Sequence, residues 1–427
     1  MGKLHNFISS ANVRNVGKLL SANVVAQVIG LIVYPILTRM YAPEDFGLMN
    51  LFVSIGNVLV VLSLVDYYYA IVLPKHKKDA IALTQLCFFC LLIMVGIVAC
   101  SVLFAQPISA LFKSPSLTNY YWLMPIYVLI MGGWNILNYW YIRQKQFGQI
   151  STYLMSQSVL SAGSKTGFGY VGMLQGGMIY SVVIAPLASL ILSITLNFKK
   201  TLRPLLTISK TNIVEQGKKY RNFPYFVLPR SFLNVLAGQL PILVLTPFFG
   251  AKHVGLLSMA ILLSFTPINT ITRALYQVLY QHTSECVHAT VSIGKMFRRF
   301  VGYCSAITIP VFAVLYFVLP DITIWLLGGE WQVVGEYIRW MLPWLYLSLL
   351  TGSTCYLSDV FMKQRTGLFF EILLAVCRVA GLCVGIATKD FTTAIAAYTI
   401  GTSVAVLAQF LWLASLVKKY DSKISTN

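Results

Sequence analysis

The chain is short of charge, and shorter still of acid: only 11% of its residues are Asp, Glu, Lys or Arg, with 13 acidic against 32 basic. A soluble domain carries about a quarter charged residues, so a water-soluble globule is excluded. Ligand spacing for a metal is also missing. The five histidines (His5, His76, His253, His282, His288) lie in connections, and none is spaced with another His, a Cys or a carboxylate as a site needs. Of the eight cysteines, Cys87 and Cys90 form the only CxxC, and it sits inside an apolar helix, where it reads as packing. No nucleophile motif, phosphate loop or catalytic pair of carboxylates occurs. The connections are too short to build a soluble active site, so the reading is a transporter without cofactor or metal, and no enzyme. A cleavable leader is missing too: Met1 to Lys18 is polar and basic, and the first apolar run is long enough to remain as a span.

What is present is hydrophobicity, 57% of residues, in runs of about 20 that match the thickness of a bilayer core. One stretch occurs twice. Leu37-Thr-Arg-Met-Tyr-Ala-Pro-Glu-Asp-Phe-Gly-Leu48 returns ungapped, 208 residues on, as Leu245-Thr-Pro-Phe-Phe-Gly-Ala-Lys-His-Val-Gly-Leu256. Each copy joins two apolar segments by a tight turn, and six spans separate them, so both begin on the same membrane face. That is a parallel repeat about an axis along the membrane normal.

The expected spans are about 19–38, 47–72, 80–105, 119–142, 148–171, 175–196, 224–249, 255–281, 300–319, 337–361, 367–388 and 391–417. The fold class expected is an all-α integral membrane protein of about 12 helices in two six-helix lobes, residues 1–196 and 223–427, joined by an interfacial linker over 197–222. Of the basic residues in connections, 23 fall on the face that carries both termini and the linker. Five fall opposite: Arg39, Lys113, Lys252, Arg339 and Lys389. By the positive-inside rule the first face is cytoplasmic. The net charge of +19 is spread over short connections, which sets topology and attracts anionic membrane lipids, and is not a nucleic-acid surface.

Inside the spans lie the candidates for function, because a charge at mid-depth costs about 2.5–3.5 kcal/mol unless it meets water or a partner. Arg378 is near the middle of span eleven, and Glu371 lies seven residues earlier on the same face. Two readings of Glu371 stand: ion coupling, or a structural network with Arg378. Arg273, Arg230 and Lys165 lie about two turns inside their spans, as cargo ligands or as side chains that snorkel to the interface. Gln157, Ser161, Ser164 and Lys165 make a polar stripe at helical spacing, which suits a water-filled face. Asp66 precedes Tyr67-Tyr-Tyr69, whose hydroxyls suit a polar cargo or an interface belt. Prolines such as Pro35, Pro186, Pro267, Pro310 and Pro343 supply bends.

Taken in order, several stretches resemble the Wzx-type oligosaccharide-lipid flippases of the polysaccharide transporter family, related in fold to MATE exporters and the lipid II flippase. They are Leu37 to Gly47, Ala70-Ile-Val-Leu-Pro-Lys75, Tyr220-Arg-Asn-Phe-Pro224 with Gln239-Leu-Pro-Ile-Leu243, Phe249-Gly250 with Gly255, Pro267, and Leu327-Gly-Gly-Glu-Trp331 with Gly335-Glu-Tyr-Ile338 and Pro343. The resemblance implies a V-shaped pair of lobes around a cationic cavity in a bacterial inner membrane. Its implied cargo is a polyprenyl-pyrophosphate-linked oligosaccharide of O-antigen or capsule type, carried to the periplasmic leaflet. A polysaccharide polymerase and a chain-length regulator are the implied partners. Arg273 matches the basic residue that such flippases place in span eight. This chain departs where relatives carry Glu, at Tyr68, and lacks the two extra C-terminal helices of some fold relatives. A MATE-like multidrug antiporter is the alternative, although it should present acids to cationic drugs. A polymerase needs a larger external loop than the longest here, about 320–336.

Overall fold

A computed structural model of the chain describes residues 11–196, 205 and 210–426. Residues 1–10, and with them Lys3, lie outside it, as do 197–204 and 206–209 of the expected linker and residue 427. The long helices are α1 (Ala11–Met40), α2 (Pro43–Leu64), α3 (Lys77–Ser101), α4 (Met124–Arg143), α5 (Phe147–Tyr170), α6 (Leu174–Thr195), α7 (Leu228–His288), α8 (Gly294–Leu327), α9 (Gln332–Thr354), α10 (Gln364–Thr388) and α11 (Phe391–Thr426). Because α7 is broken by non-helical geometry at Gly250 (φ 80°, ψ 170°), the described residues make twelve long helical segments, and seven of the helices are long and apolar enough to cross a membrane. In hydrocarbon a segment must satisfy its backbone within itself, so each apolar run becomes a helix. Outward side chains are apolar, for instance Phe89, Ile93 and Ile97 on α3 and Ile307, Val311 and Val314 on α8. The protein is a multi-pass membrane protein of all-α architecture.

The second pass stops at Leu64, short of the expected residue 72. Val65 (φ 49°, ψ 22°) and Asp66 (φ 55°, ψ 12°) are both left-handed, and Tyr67–Val72 follows as a 3-10 turn. A run of apolar and aromatic residues conceals this break, since hydrophobicity reports depth and not backbone angle.

The repeated motif is a pair of matching breaks. Between α1 and α2 the chain is extended at Ala42 (φ −74°, ψ 159°), and Pro43 opens α2. Asp45 reaches back so that its Oδ2 accepts from the Ala42 N–H at 3.0 Å, a satisfied first turn. The equivalent of Ala42 is Gly250, where φ is positive and glycine is required. The two breaks touch reciprocally. A Cβ on Gly47 would lie 1.8 Å from the Ala251 carbonyl oxygen, and one on Gly255 would lie 1.9 Å from that of Pro43. Gly47 and Gly255 are equivalent positions of the repeat, as are Pro43 and Ala251. Glu44 and Lys252, also equivalent, form an ion pair at 3.8 Å between exposed side chains. Small residues that let backbones meet are the usual basis of helix contact in lipid.

Two compact units result, Met1–Gly255 and Leu256–Asn427. The first pass of α7 therefore goes with the first unit, although the expected division lay at 197–222. Packing explains this: the Ser54 hydroxyl on α2 donates to Gln239 Oε1 at 2.7 Å, and Lys113 lies 5.7 Å over the Phe248 ring. The first unit's core holds Trp134 stacked on Tyr153 at 3.4 Å, beside Trp140 and Tyr141. In the second unit Ile293, Phe297, Tyr356, Leu357, Leu413, Leu416 and Val417 cluster where α8 begins and α11 ends. There Asp421 accepts the Ile293 and Gly294 N–H groups at 3.0 and 2.9 Å, capping α8 with a carboxylate from far along the chain.

Two arginines counted as topology signals are structural as well. Arg143 donates to the carbonyls of Ile71 and Val72, both at 3.2 Å, holding the end of the 3-10 turn. Pro320, inside α8, cannot donate to the Tyr316 carbonyl four residues back. Arg339 on α9 donates to it instead, and to Phe317 at 3.2 Å, with its guanidinium 5.1 Å over the Tyr316 ring.

Candidate functional site

Asp66 has the most unusual surroundings of the candidates. It lies just past the α2 span, fully buried, and neither carboxylate oxygen has a hydrogen-bond partner. Left-handed φ in a β-branched residue such as Val65 is an outlier, and conformations of this kind cost about 1–3 kcal/mol each. Tyr68 and Tyr69 of the 3-10 turn pack at 4.2 Å between ring centres, and Tyr139 from α4 meets both edge-on at 5.0 and 5.2 Å. The Ser231 hydroxyl, near the start of α7, lies alongside the carboxyl. Just before α7, Phe223–Val227 winds as a π-helix with Pro224 in its first turn, and it packs on the 3-10 turn. Tyr67 donates to the Gly217 carbonyl at 3.2 Å, tying in the short helix Lys210–Lys219. Burial pushes the Asp66 carboxyl above its usual range, and the Ser231 hydroxyl pulls the other way. In this conformation the Asp66 side chain is fully buried, whereas the sequence offered it as one of the groups that meet a polar cargo. Ser231 and Tyr139 were not legible as its neighbours, being distant in sequence.

Lys165 is 8% exposed, sealed rather than open to water as the polar stripe suggested. Its carbonyl accepts the Tyr41 hydroxyl at 2.7 Å. The stripe largely answers itself: the Ser164 hydroxyl donates to the Ser161 carbonyl at 3.3 Å, and Gln157 is half-buried. Arg230 and Arg273 are exposed on their helices, and Arg378 is half-buried. The Arg378 guanidinium stands 5.8 Å from the Trp344 ring and 6.0 Å from Tyr398, a cation–π arrangement that lessens the penalty of leaving water. Its Nε is buried without a partner.

Glu371 is exposed, which corrects its reading as the buried carboxylate. It forms no ion pair with Arg378 among the described residues. Seven residues of helix separate the two by about 10 Å of rise, too far for contact. None of the four cations within the passes has a carboxylate partner among the described residues, and no cluster of three His, Cys, Asp or Glu side chains is placed to hold a metal there.

A family model described as "Polysaccharide biosynthesis protein" matches residues 36–336. Among solved structures, an inward-facing multidrug resistance MATE family transporter of the MOP superfamily is similar at a TM-score of 0.71 and 16% identity, covering 93% of this chain and 96% of that one. The lipid II flippase MurJ in an inward closed conformation is similar at 0.71 and 14% identity, covering 96% and 90%. No curated protein matches.

Proposed function

The chain belongs to the polysaccharide biosynthesis protein family, and from that premise we propose that it carries a polyprenyl-pyrophosphate-linked oligosaccharide between membrane leaflets. The cargo is a repeat unit of the O-antigen or capsule kind, moved from the cytoplasmic to the periplasmic leaflet by alternating access. One observation carries the reading: Arg230 and Arg273 are exposed cations within the passes and Arg378 is a half-buried one, and none has a carboxylate partner among the described residues. Unpaired charge at that depth is costly unless a ligand of opposite sign visits it. Pyrophosphate is such a ligand, and a guanidinium matches its oxygens with a planar fork of donors.

Arg273 is the proposed pyrophosphate ligand, because it is exposed and lies six residues past Pro267, which leaves the carbonyl four residues before it without its helical donor. Arg273→Ala should abolish surface glycan export at normal protein level, and Arg273→Lys should restore it in part. A snorkelling arginine predicts full activity in the Lys variant, since Lys reaches the interface equally well. The protein works in the bacterial inner membrane with both termini cytoplasmic, so a reporter fused after Lys418 should read as inside. An outside reading breaks the topology. No bond is made or broken in this work, and the polymerase and chain-length regulator act on its product.

A second reading, a multidrug antiporter, is supported by the similarity to the MATE transporter. It asks the chain to offer acid to cationic drugs, and the partnerless charges in the passes are basic. Drug efflux from cells that express the chain, with glycan export unchanged, would favour the antiporter.

A further inference from the structure

We infer that Asp66 is a proton-binding site: its carboxyl holds a proton while the first unit has the form seen here, and releases it when the Tyr67–Val72 turn opens to water. The observation is a carboxyl that is completely buried with both oxygens unpartnered. An ionised carboxylate so placed loses its hydration, and the Ser231 hydroxyl beside it makes up only part of that loss, whereas the neutral acid avoids most of it. Three other occupants can be weighed. A structural ion pair is not made, since no cation reaches Asp66 among the described residues. A divalent metal lacks the ligand set there. A sodium ion needs several oxygens, and the neighbouring hydroxyl is that of Ser231.

The groups around the site fit a proton. From the 3-10 turn come Tyr67, Tyr68 and Tyr69, and from α4 come Tyr139 and Arg143, the latter holding the backbone of Ile71 and Val72. Cys87 and Cys90 of α3 and Tyr225 of the π-turn border Tyr67, and Ser231 and Arg230 begin α7. None of these places a charge on the carboxyl. The site also sits where backbone can move: a left-handed pair, a 3-10 turn and a π-turn meet there, and each departs from the regular helix on either side. Loss of the proton leaves a charge that needs water, which favours the opened turn.

What the proton drives rests on the transport reading, but its binding does not, and the test separates them. Purified full-length protein, wild type and Asp66→Asn, is unfolded thermally in detergent across about pH 5 to 9. The folded carboxyl keeps a proton that the unfolded chain has released. Its contribution is therefore complete below the unfolded value and is lost as pH rises through the folded one, by up to about tenfold in the folded-to-unfolded ratio per pH unit. Asp66→Asn, which mimics the neutral acid, should fold normally and lack that slope. Ser231→Ala removes a hydroxyl that favours the charged form and should move the loss to higher pH. Parallel profiles for wild type and Asn, an Asn variant that fails to fold at acid pH, or a slope that follows sodium at fixed pH would each overturn the proton site. In cells, Asp66→Asn should flatten the pH dependence of glycan export at normal protein level, and an unchanged dependence would detach the site from transport. If Arg273→Ala exports normally while the Asp66 slope persists, the cargo reading fails and the proton site stands.

Discussion

Replacing Gly255 with Ala tests the reciprocal contact of the repeat. The added Cβ would lie 1.9 Å from the Pro43 carbonyl oxygen and 2.9 Å from the Gly47 nitrogen. Carbon–oxygen contacts between close backbones sit at about 3.3–3.6 Å, so the two helix starts must part by about 1.5 Å. Both obstacles are backbone, which cannot swing aside, so the upper end of the usual overpacking cost applies, about 3 kcal/mol. Ala in place of Gly within a helix returns about 1 kcal/mol. The net is about 2 kcal/mol against this conformation, or roughly 30-fold in population. Gly47→Ala should act alike, since its Cβ would meet Ala251 in the same way. The double variant should cost less than the sum, because helices already parted leave room for the second methyl. Two measurements check this. Thermal unfolding should show each single variant below wild type, while Gly30→Ala, with nothing within 4 Å of its Cβ, should equal or exceed it. Disulfide yield for Glu44→Cys with Lys252→Cys, at the positions of the exposed ion pair, should fall when Gly255→Ala is added. A Gly255→Ala protein that melts at or above wild type with undiminished cross-linking would refute the reasoning.

Arg339→Ala should destabilise the second unit by about 0.5–1.5 kcal/mol, the net worth of an ordinary hydrogen bond, because it strips the donors from the exposed carbonyls of Tyr316 and Phe317 above Pro320. Arg339→Lys should recover only part, having no fork, and equal melting of all three proteins would dismiss the contact. Asp390 caps α11 by accepting the Thr393 hydroxyl and, at 2.8 Å, its N–H, and the Thr393 hydroxyl holds its carboxyl below the usual carboxylate range. The cap is complete above the unfolded value and is lost as pH falls through the lowered folded one. The melting difference between wild type and Asp390→Ala should accordingly vanish in acid, and a constant difference would contradict the capping role.

The passes were legible from the apolar runs alone, because in hydrocarbon a helix answers its own backbone and its existence is decided locally. The repeat was legible too, since Leu37 to Leu48 and Leu245 to Leu256 align without a gap. Arg339 left a usable signal: Pro320 implies an orphaned carbonyl at Tyr316, although not which side chain answers it. The surroundings of the charged groups were decided only by tertiary structure. A polar residue in an apolar run reads the same whether it faces lipid, water or protein, so Glu371, taken as buried, lies exposed, and Lys165, taken as open to water, is sealed. Asp66 is buried beside Ser231 and next to a turn on which Tyr139 packs, residues more than sixty positions away in the chain. Local pattern sets which segments enter the membrane, because each meets the bilayer by itself. Whether a carboxyl inside keeps its proton depends on what other helices bring beside it, and that is settled only when they pack.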